Sequence, residues 1–317
     1  MNILKVNHLS KHYTVNRGLL RRSLVVRAVN DITFSLQAGK TLAVVGETGS
    51  GKSTLARQII GLENMTKGDI VLNEVKLNFT NNDHRKMRLN KIRMIFQNPF
   101  DALNPKLRIG KSLEDTLIIN TTLDAKHRKE KIIQTLETVG LRSEHRKYYP
   151  HMFTSGQRQR IAIARAIILE PQIIIADEPL SALDVSIQAQ ILNLLQELQE
   201  KMGISYIFIS HDLNVIEHIA DHVLVMYRGQ MVEYGSVSQV FDDPKHPYTQ
   251  TLFASTPMYQ KRFSSIKPSL GKKNTVYRED CCNFSARCYK KDDSCNMTCP
   301  SITTEKDGHQ YRCIKSD

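Results

Sequence analysis

The chain has 317 residues, 41% hydrophobic and 24% charged, with a formal net charge of +12. That balance excludes a disordered chain, a collagen-like chain and a disulfide-framework mini-protein, and the length allows two domains or one large domain with an appendage. No apolar run approaches the ~18–20 residues of a membrane-spanning helix. The N-terminal Met1-Asn2-Ile3-Leu4-Lys5-Val6-Asn7 lacks the apolar core of a signal peptide, so the chain is expected to stay in the cytosol.

A basic balance suits nucleic acid, an anionic membrane surface, phosphate ligands, or simply a solvated surface. The local clusters are Arg17-Gly18-Leu19-Leu20-Arg21-Arg22 and Lys272-Lys273, either of which could sit near lipid headgroups. No aromatic residues interleave with them and the chain has no tryptophan, so no nucleic-acid partner is expected.

In chain order, residues 4–13 read as a strand entering a turn, and residues 27–36 alternate apolar and polar as a half-buried antiparallel strand does. Residues 40–45 form a compact apolar run fitting a buried strand. A glycine-rich loop follows, and then helical spacing from Thr54 to Leu62. Residues 69–79 suggest a hairpin region and 90–96 a short strand. Residues 113–146 are helical in pattern, and a helix is expected from Ile161 to Leu169, stopped by Pro171. Residues 173–176, 205–209, 223–226 and 231–234 read as strands, and 186–202 as a helix ending at Gly203. Strands alternating with helices imply an α/β body with an antiparallel portion near the N-terminus. From about Pro244 the pattern weakens, and residues 261–278 read as a polar linker.

Gly46-Glu47-Thr48-Gly49-Ser50-Gly51-Lys52-Ser53 matches the G-x-x-x-x-G-K-[ST] phosphate loop, set between a strand and a helix. The glycines let backbone N–H groups fold around phosphate, and the helix N-terminus adds partial positive charge. Lys52 is expected to reach the terminal phosphates and the Ser53 hydroxyl to ligate Mg²⁺. A chance glycine turn before Lys-Ser is the competing reading, and the strand–loop–helix context argues against it. Ile173-Ile174-Ile175-Ala176-Asp177-Glu178 is an apolar strand ending in two acids, where parallel sheets bind ligands. Alone, such a pair is more often a solvated turn. Downstream of a phosphate loop it reads as a Mg²⁺ carboxylate, Asp177, and a water-orienting base, Glu178. His211 ends the next strand and is expected to contact the γ-phosphate.

The segment Met152-Phe153-Thr154-Ser155-Gly156-Gln157-Arg158-Gln159-Arg160 resembles the signature of the ATP-binding-cassette (ABC) family, usually Leu-Ser-Gly-Gly-Gln followed by basic residues. Tyr13 sits where the family stacks an aromatic on adenine, Gln97 where it has the Q-loop, Ser181-Ala182-Leu183-Asp184 where it has the D-loop, and His211 where it has the switch histidine. The resemblance covers essentially the whole chain. Gln97-Asn98-Pro99-Phe100-Asp101-Ala102-Leu103-Asn104-Pro105 and His246-Pro247-Tyr248-Thr249-Gln250 are similar to the dipeptide/oligopeptide importer branch, in particular its second ATPase subunit.

The resemblance implies an α/β P-loop nucleotide-binding domain over residues 1–245, with antiparallel β and α-helical subdomains, and an extension over 246–317. It implies ATP hydrolysis through Glu178, His211 and Gln97, and ATP binding through Tyr13, residues Gly46 to Thr54, and Asp177. Mg²⁺ would be held by Ser53, Gln97 and Asp177. In this family two cassettes close head to tail, so Thr154, Ser155, Gly156 and Gln157 would complete the partner's site. The partners implied are a second ATPase subunit (a heterodimer), two transmembrane permease subunits and, indirectly, an extracytoplasmic peptide-binding protein. The chain would then lie peripherally on the cytoplasmic face of a bacterial inner membrane, powering import of dipeptides or oligopeptides. Nickel, glutathione-like peptides and antimicrobial peptides are alternative cargoes. Non-transport relatives usually carry two cassettes or a long coiled-coil insertion, and this chain has neither. One departure from the family pattern is Ser155 in place of glycine, which leads to the expectation of unequal sites, the partner's being the weaker.

All six cysteines lie between Cys281 and Cys313. Importers of this branch carry a similar tail, here Cys282-Asn283-Phe284-Ser285-Ala286-Arg287-Cys288, then Cys295, then Gly308-His309 to Cys313. Cys282, Cys288, Cys295 and Cys313 would hold a [4Fe–4S] cluster in the reading that the resemblance favours. Four thiolates suit Zn²⁺ equally on count, and free thiols are the third alternative. Cys281 and Cys299 are not expected to be ligands, and disulfides are not expected in the cytosol.

Overall fold

The computed structural model describes residues 1–15, 23–98, 103–264, 266 and 281–315. The basic cluster at 17–22, the Lys272-Lys273 pair, most of the expected linker, and Pro99-Phe100-Asp101-Ala102 lie outside the described residues.

The chain begins with β1 (Asn2–Val15), β2 (Leu24–Gln37), β3 (Thr41–Val45), α1 (Lys52–Ile60), β4 (Lys67–Leu72) and β5 (Val75–Lys76). It continues with α2 (Asn82–Lys91), β6 (Ile92–Ile95), α3 (Ile109–Asn120), α4 (Ala125–Thr138), two 3-10 turns at Ser143–Lys147 and Pro150–Met152, and α5 (Ser155–Ile167). Next come β7 (Ile173–Asp177), α6 (Val185–Met202), β8 (Ser205–Ile209), α7 (Leu213–Ile219), β9 (His222–Tyr227) and β10 (Gln230–Ser236). The last elements are α8 (Val237–Asp242), α9 (Pro247–Ala254), α10 (Ser294–Met297), β11 (Thr303–Thr304) and β12 (Gln310–Tyr311). Among the described residues no helix is long and apolar enough to cross a membrane.

The chain divides into two compact units. The first comprises Met1, Gln37–Lys40 and Asn78–Ile209. Its strands are parallel, with β7 between β6 and β8: Ile95 pairs with Ala176, and Ala176 with Phe208. Every residue of β7 and β8 is buried, which is why both are nearly continuous apolar runs rather than alternating ones. The expected helical tract over 113–146 is interrupted, because Asp124 caps a new helix by accepting from the His127 N–H at 2.9 Å. The helix expected from Ile161 starts earlier, at Ser155. Thr154 caps it, with Gln157 reaching back to the Thr154 N–H at 3.1 Å. Helix α2 was not expected from the sequence. It is almost wholly polar and buries only Arg88, so it has no apolar stripe to read.

The second unit comprises Asn2–Leu36, Thr41–Leu77 and Ser210–Asp317. One sheet runs β2-β1-β4-β5, with β1 antiparallel to β4 (Leu4 opposite Leu72). Elsewhere in the unit β3 pairs in parallel with β9, Val45 opposite Val225. Strand β9 turns into antiparallel β10 through Arg228 (φ 47°) and Gly229 (φ 81°). Two consecutive positive φ values are the hallmark of a two-residue hairpin turn. Strands β12 and β11 extend β10.

Among the described residues, the stretch after Pro244 holds more regular structure than its sequence pattern suggests. Helix α9 has Pro247 in its first turn and His246 as cap, its Nδ1 accepting from the Tyr248 N–H at 2.9 Å. Phe284 of the tail is buried against Tyr227 and Tyr248, with ring centroids 5.2 and 5.4 Å away. A buried hydrogen-bond cluster fixes the tail further. The Glu233 carboxylate accepts from the N–H groups of Lys245 (2.7 Å) and His246 (3.0 Å) and meets His309 Nε2 at 2.9 Å.

Candidate active site

In the second unit β3 delivers the chain into the phosphate loop. Gly46 has φ +147°, and a Cβ there would lie 2.2 Å from the Met226 carbonyl oxygen. Gly51 has φ +105°, and its Cβ would lie 2.1 Å from the Ala28 carbonyl oxygen. Neither position can carry a side chain, because backbone rather than a flexible side chain blocks it. Gly51 also starts α1 with no side-chain cap, which leaves the helix's first N–H groups to a ligand. Ser50 is buried and its Oγ has no hydrogen-bond partner. An uncapped helix start beside an orphaned hydroxyl fits a bound phosphate. Lys52 is 6% exposed, and its Nζ donates to the carbonyls of Gly46 (2.7 Å) and Glu47 (3.1 Å).

An open cavity of about 600 Å³ lies over this loop, bordered by Gly46 to Ser50, His211, Arg228 and Arg287. His211 is exposed there. The following residue fixes its backbone, since the Asp212 N–H donates to Ser210 Oγ at 3.0 Å and the Asp212 carboxylate caps α7. Tyr13 bonds through its hydroxyl to Glu63, and Lys11 Nζ sits 4.9 Å from its ring centroid.

In the first unit β7 ends in Asp177, 6% exposed, and Glu178. The register that sets Ile95 opposite Ala176 brings Gln97 level with Glu178. Gln97 Nε2 donates to Glu178 Oε2 at 3.0 Å. The Glu178 N–H donates to the Ile209 carbonyl at 2.9 Å, and its φ is +46°. Asp177, Gln97 and Ser53 all present oxygen, the hard donor type that suits Mg²⁺.

The signature residues form the first turn of α5. Thr154 Oγ1 accepts from the Gln157 N–H at 3.4 Å, and Ser155 is half-buried. Gly156 packs against α6, where a Cβ would meet Ile187 Cγ2 at 2.8 Å.

None of the six cysteines forms a disulfide. Burial pushes Cys282 up to about 12 and Cys288 up to about 11, with the neighbouring thiols adding to both shifts. Cys282, Cys288, Cys295 and Cys313 therefore share one neighbourhood. Among the described residues, though, no three His, Cys, Asp or Glu side chains come together as a metal-holding group.

The sequence profile of the ABC transporter family matches residues 29–181, and that of the oligopeptide/dipeptide transporter C-terminal region matches 232–295. The dipeptide transport ATP-binding protein DppF of Haemophilus influenzae is 46% identical over 99% of this chain and 97% of its own length. The chain belongs to the ABC transporter family. The oligopeptide transport ATP-binding protein OppF of the same organism is 43% identical over 99% of this chain and 97% of its own. A dimeric post-hydrolysis state of the ATP-binding cassette MJ0796, bound to ADP and Pi, superposes with a TM-score of 0.65 at 27% identity. It covers 74% of this chain and 98% of that one. This chain is thus an ABC-type ATPase of P-loop α/β fold.

Two residues at the phosphate loop of this ABC ATPase had not been singled out from sequence. Arg287 grips the Glu47 carboxylate at 2.8 and 3.0 Å, and Tyr248 Oη accepts from the Glu47 N–H at 2.8 Å. Both lie in segments that carry the importer resemblance, but nothing local to either segment points 201 or 240 residues back along the chain.

Proposed function

We propose that this ABC ATPase powers import of dipeptides or oligopeptides. The observation that carries the reading is near full-length similarity that extends through the C-terminal region, beyond the cassette common to all ABC proteins. Residues 1–245 would be the ATPase domain and 246–317 an extension of it.

In this reading Lys52 and the N–H groups of the loop hold the ATP phosphates, and Tyr13 meets the adenine. Phosphoryl transfer to water needs positioning and charge stabilisation rather than a covalent intermediate. Glu178 orients the attacking water and accepts its proton, His211 holds the γ-phosphate, and Gln97 governs when the Glu178 carboxylate is free. Ser53, Gln97 and Asp177 would hold Mg²⁺, which would supply neutralisation of phosphate charge. Thr154, Ser155, Gly156 and Gln157 serve the nucleotide of a second ATPase subunit. Two permease subunits, fed by an extracytoplasmic peptide-binding protein, receive the motion at the cytoplasmic face of the membrane. The cysteine tail enters only as a candidate [4Fe–4S] or Zn²⁺ site. Visible absorbance and metal content after anaerobic purification decide it, and a colourless, metal-free protein leaves free thiols.

The experiment is uptake of labelled dipeptides, longer peptides and Ni²⁺ in cells lacking the chain, complemented with wild type or Lys52→Ala. Dipeptide or longer-peptide uptake lost and restored by wild type alone supports the reading. Peptide uptake that persists while Ni²⁺ uptake disappears overturns the cargo and leaves the ATPase.

A further inference from the structure

Residue 47 of the phosphate loop is held at three points. Its carbonyl accepts from Lys52 Nζ at 3.1 Å, its N–H donates to Tyr248 Oη at 2.8 Å, and its carboxylate is gripped at both oxygens by Arg287. The carbonyl also accepts from the Ser50 N–H at 3.1 Å, while Tyr248 and Arg287 both come from the stretch matched by the oligopeptide/dipeptide transporter C-terminal profile. The grip is built rather than incidental. The Arg287 side chain is 13% exposed, and its guanidinium lies 6.0 Å from the ring centroids of both Tyr227 and Phe284. Tyr248 packs 4.6 Å from Tyr227 and 5.4 Å from Phe284, so one aromatic cluster fixes both contacts. Glu47 and Arg287 both line the cavity over the loop.

The electrostatic consequence follows from where Glu47 stands. A carboxylate at the mouth of a cavity meant for a polyanion repels its ligand. Arg287 cancels that charge with paired, charge-assisted hydrogen bonds, a strong arrangement for a carboxylate. We propose that Arg287, seated by the C-terminal extension, is a positioning residue for ATP binding. It neutralises Glu47 and, through the Glu47 backbone, keeps the carbonyl that seats Lys52 in place. The inference rests on the phosphate-loop reading and deepens it.

The test uses the full chain for MgATP binding and the assembled transporter for turnover. Arg287→Ala should raise the KM for ATP by about ten-fold, the scale of a lost charge-assisted pair, with kcat changed less than about two-fold. Arg287→Lys should fall between Arg287→Ala and wild type. The decisive variant is Glu47→Gln combined with Arg287→Ala. With the bare carboxylate removed, its KM should return to that of Glu47→Gln alone. A merely structural role for Arg287 would leave the double variant as impaired as Arg287→Ala, and that result overturns the proposal. An Arg287→Ala KM indistinguishable from wild type overturns it as well. Should Arg287→Ala fail to fold, Arg287→Lys and the double variant give the same decision. Lys52→Ala is the control for the underlying reading: ATP binding that survives it would sink the phosphate-loop assignment and not the clamp alone.

Discussion

Gln97 holds the Glu178 carboxylate, Nε2 to Oε2, at 3.0 Å, a contact set up by the parallel register of β6 and β7. The carboxylate proposed to orient water is therefore tied to the glutamine proposed to govern it. Glu178→Gln keeps the shape of the side chain and removes its basicity. It should bind ATP normally and lose hydrolysis at its own site by about 10²–10⁴-fold, the usual worth of a general base. The check is single-site turnover in an assembled transporter whose other site is disabled. Near-normal turnover there would refute the role of Glu178.

Gly51→Ala sets a harsher test of the loop. Its φ of +105° is one that side chains rarely adopt, and the added methyl group would lie 2.1 Å from the Ala28 carbonyl oxygen. Such backbone strain costs about 1–3 kcal/mol before the collision is counted. The variant should lose ATP binding, measured by equilibrium titration, and melt at a lower temperature. Gly49→Ala meets nothing within 4 Å and should be milder.

At the signature, Ser155 and Gly156 should respond in opposite directions. Ser155→Gly removes a Cβ from the stretch expected to approach the partner's γ-phosphate, and turnover of the assembled transporter should rise. Gly156→Ala drives a methyl group into Ile187 of α6 at 2.8 Å and should lower it. Unchanged turnover in Ser155→Gly would remove the case for unequal sites.

Acidification should loosen the extension. His246 is fully buried, and burial, together with the Arg312 charge, lowers its pKa from 6.5 to about 3. The Glu233 carboxylate accepts its backbone N–H and also meets His309, and Cys282 lines the same small cavity. Between these two pH values the unfolded chain binds the proton and the folded chain does not. Stability contributed at this residue is therefore intact above pH 6.5 and falls as pH falls toward 3. The slope is up to about 1.4 kcal/mol per pH unit. His246→Asn keeps a good helix cap and cannot titrate, so its denaturation midpoint should depend less steeply on pH than that of wild type. Equal slopes for the two proteins would count against this account.

The placement of the motif segments on strand, loop and helix was legible because each is a local pattern read with its neighbours. Gly46 to Ser53 sits between an apolar run and a helical pattern, and Asp177 and Glu178 close an apolar strand. The start of α5 was legible too, since Thr154 and Gln157 have the spacing of a reciprocal cap, but the apolar run at Ile161 drew the boundary too late. Helix α9 hid because Pro247, Tyr248, Thr249, Thr251 and Phe253 are all buried, which leaves no polar face to set a period. Strands β11 and β12 span two residues each and carry no pattern. The Arg287–Glu47 contact hid for a different reason. Charged residues are ordinary in a sequence, and only the packing of Tyr227, Tyr248 and Phe284 selects which two meet.

The left-handed backbone at Glu178 reaches beyond the reaction itself. A residue with a Cβ sits there at a cost of about 1–2 kcal/mol, which glycine would not incur and asparagine would bear more easily. Selection for thermal robustness alone would thus push this position toward the residues that cannot activate water. Cassettes in which one of two paired sites has fallen silent should drift first at this codon, toward Gly or Asn. Laboratory evolution that rewards only folded protein should find the same exit.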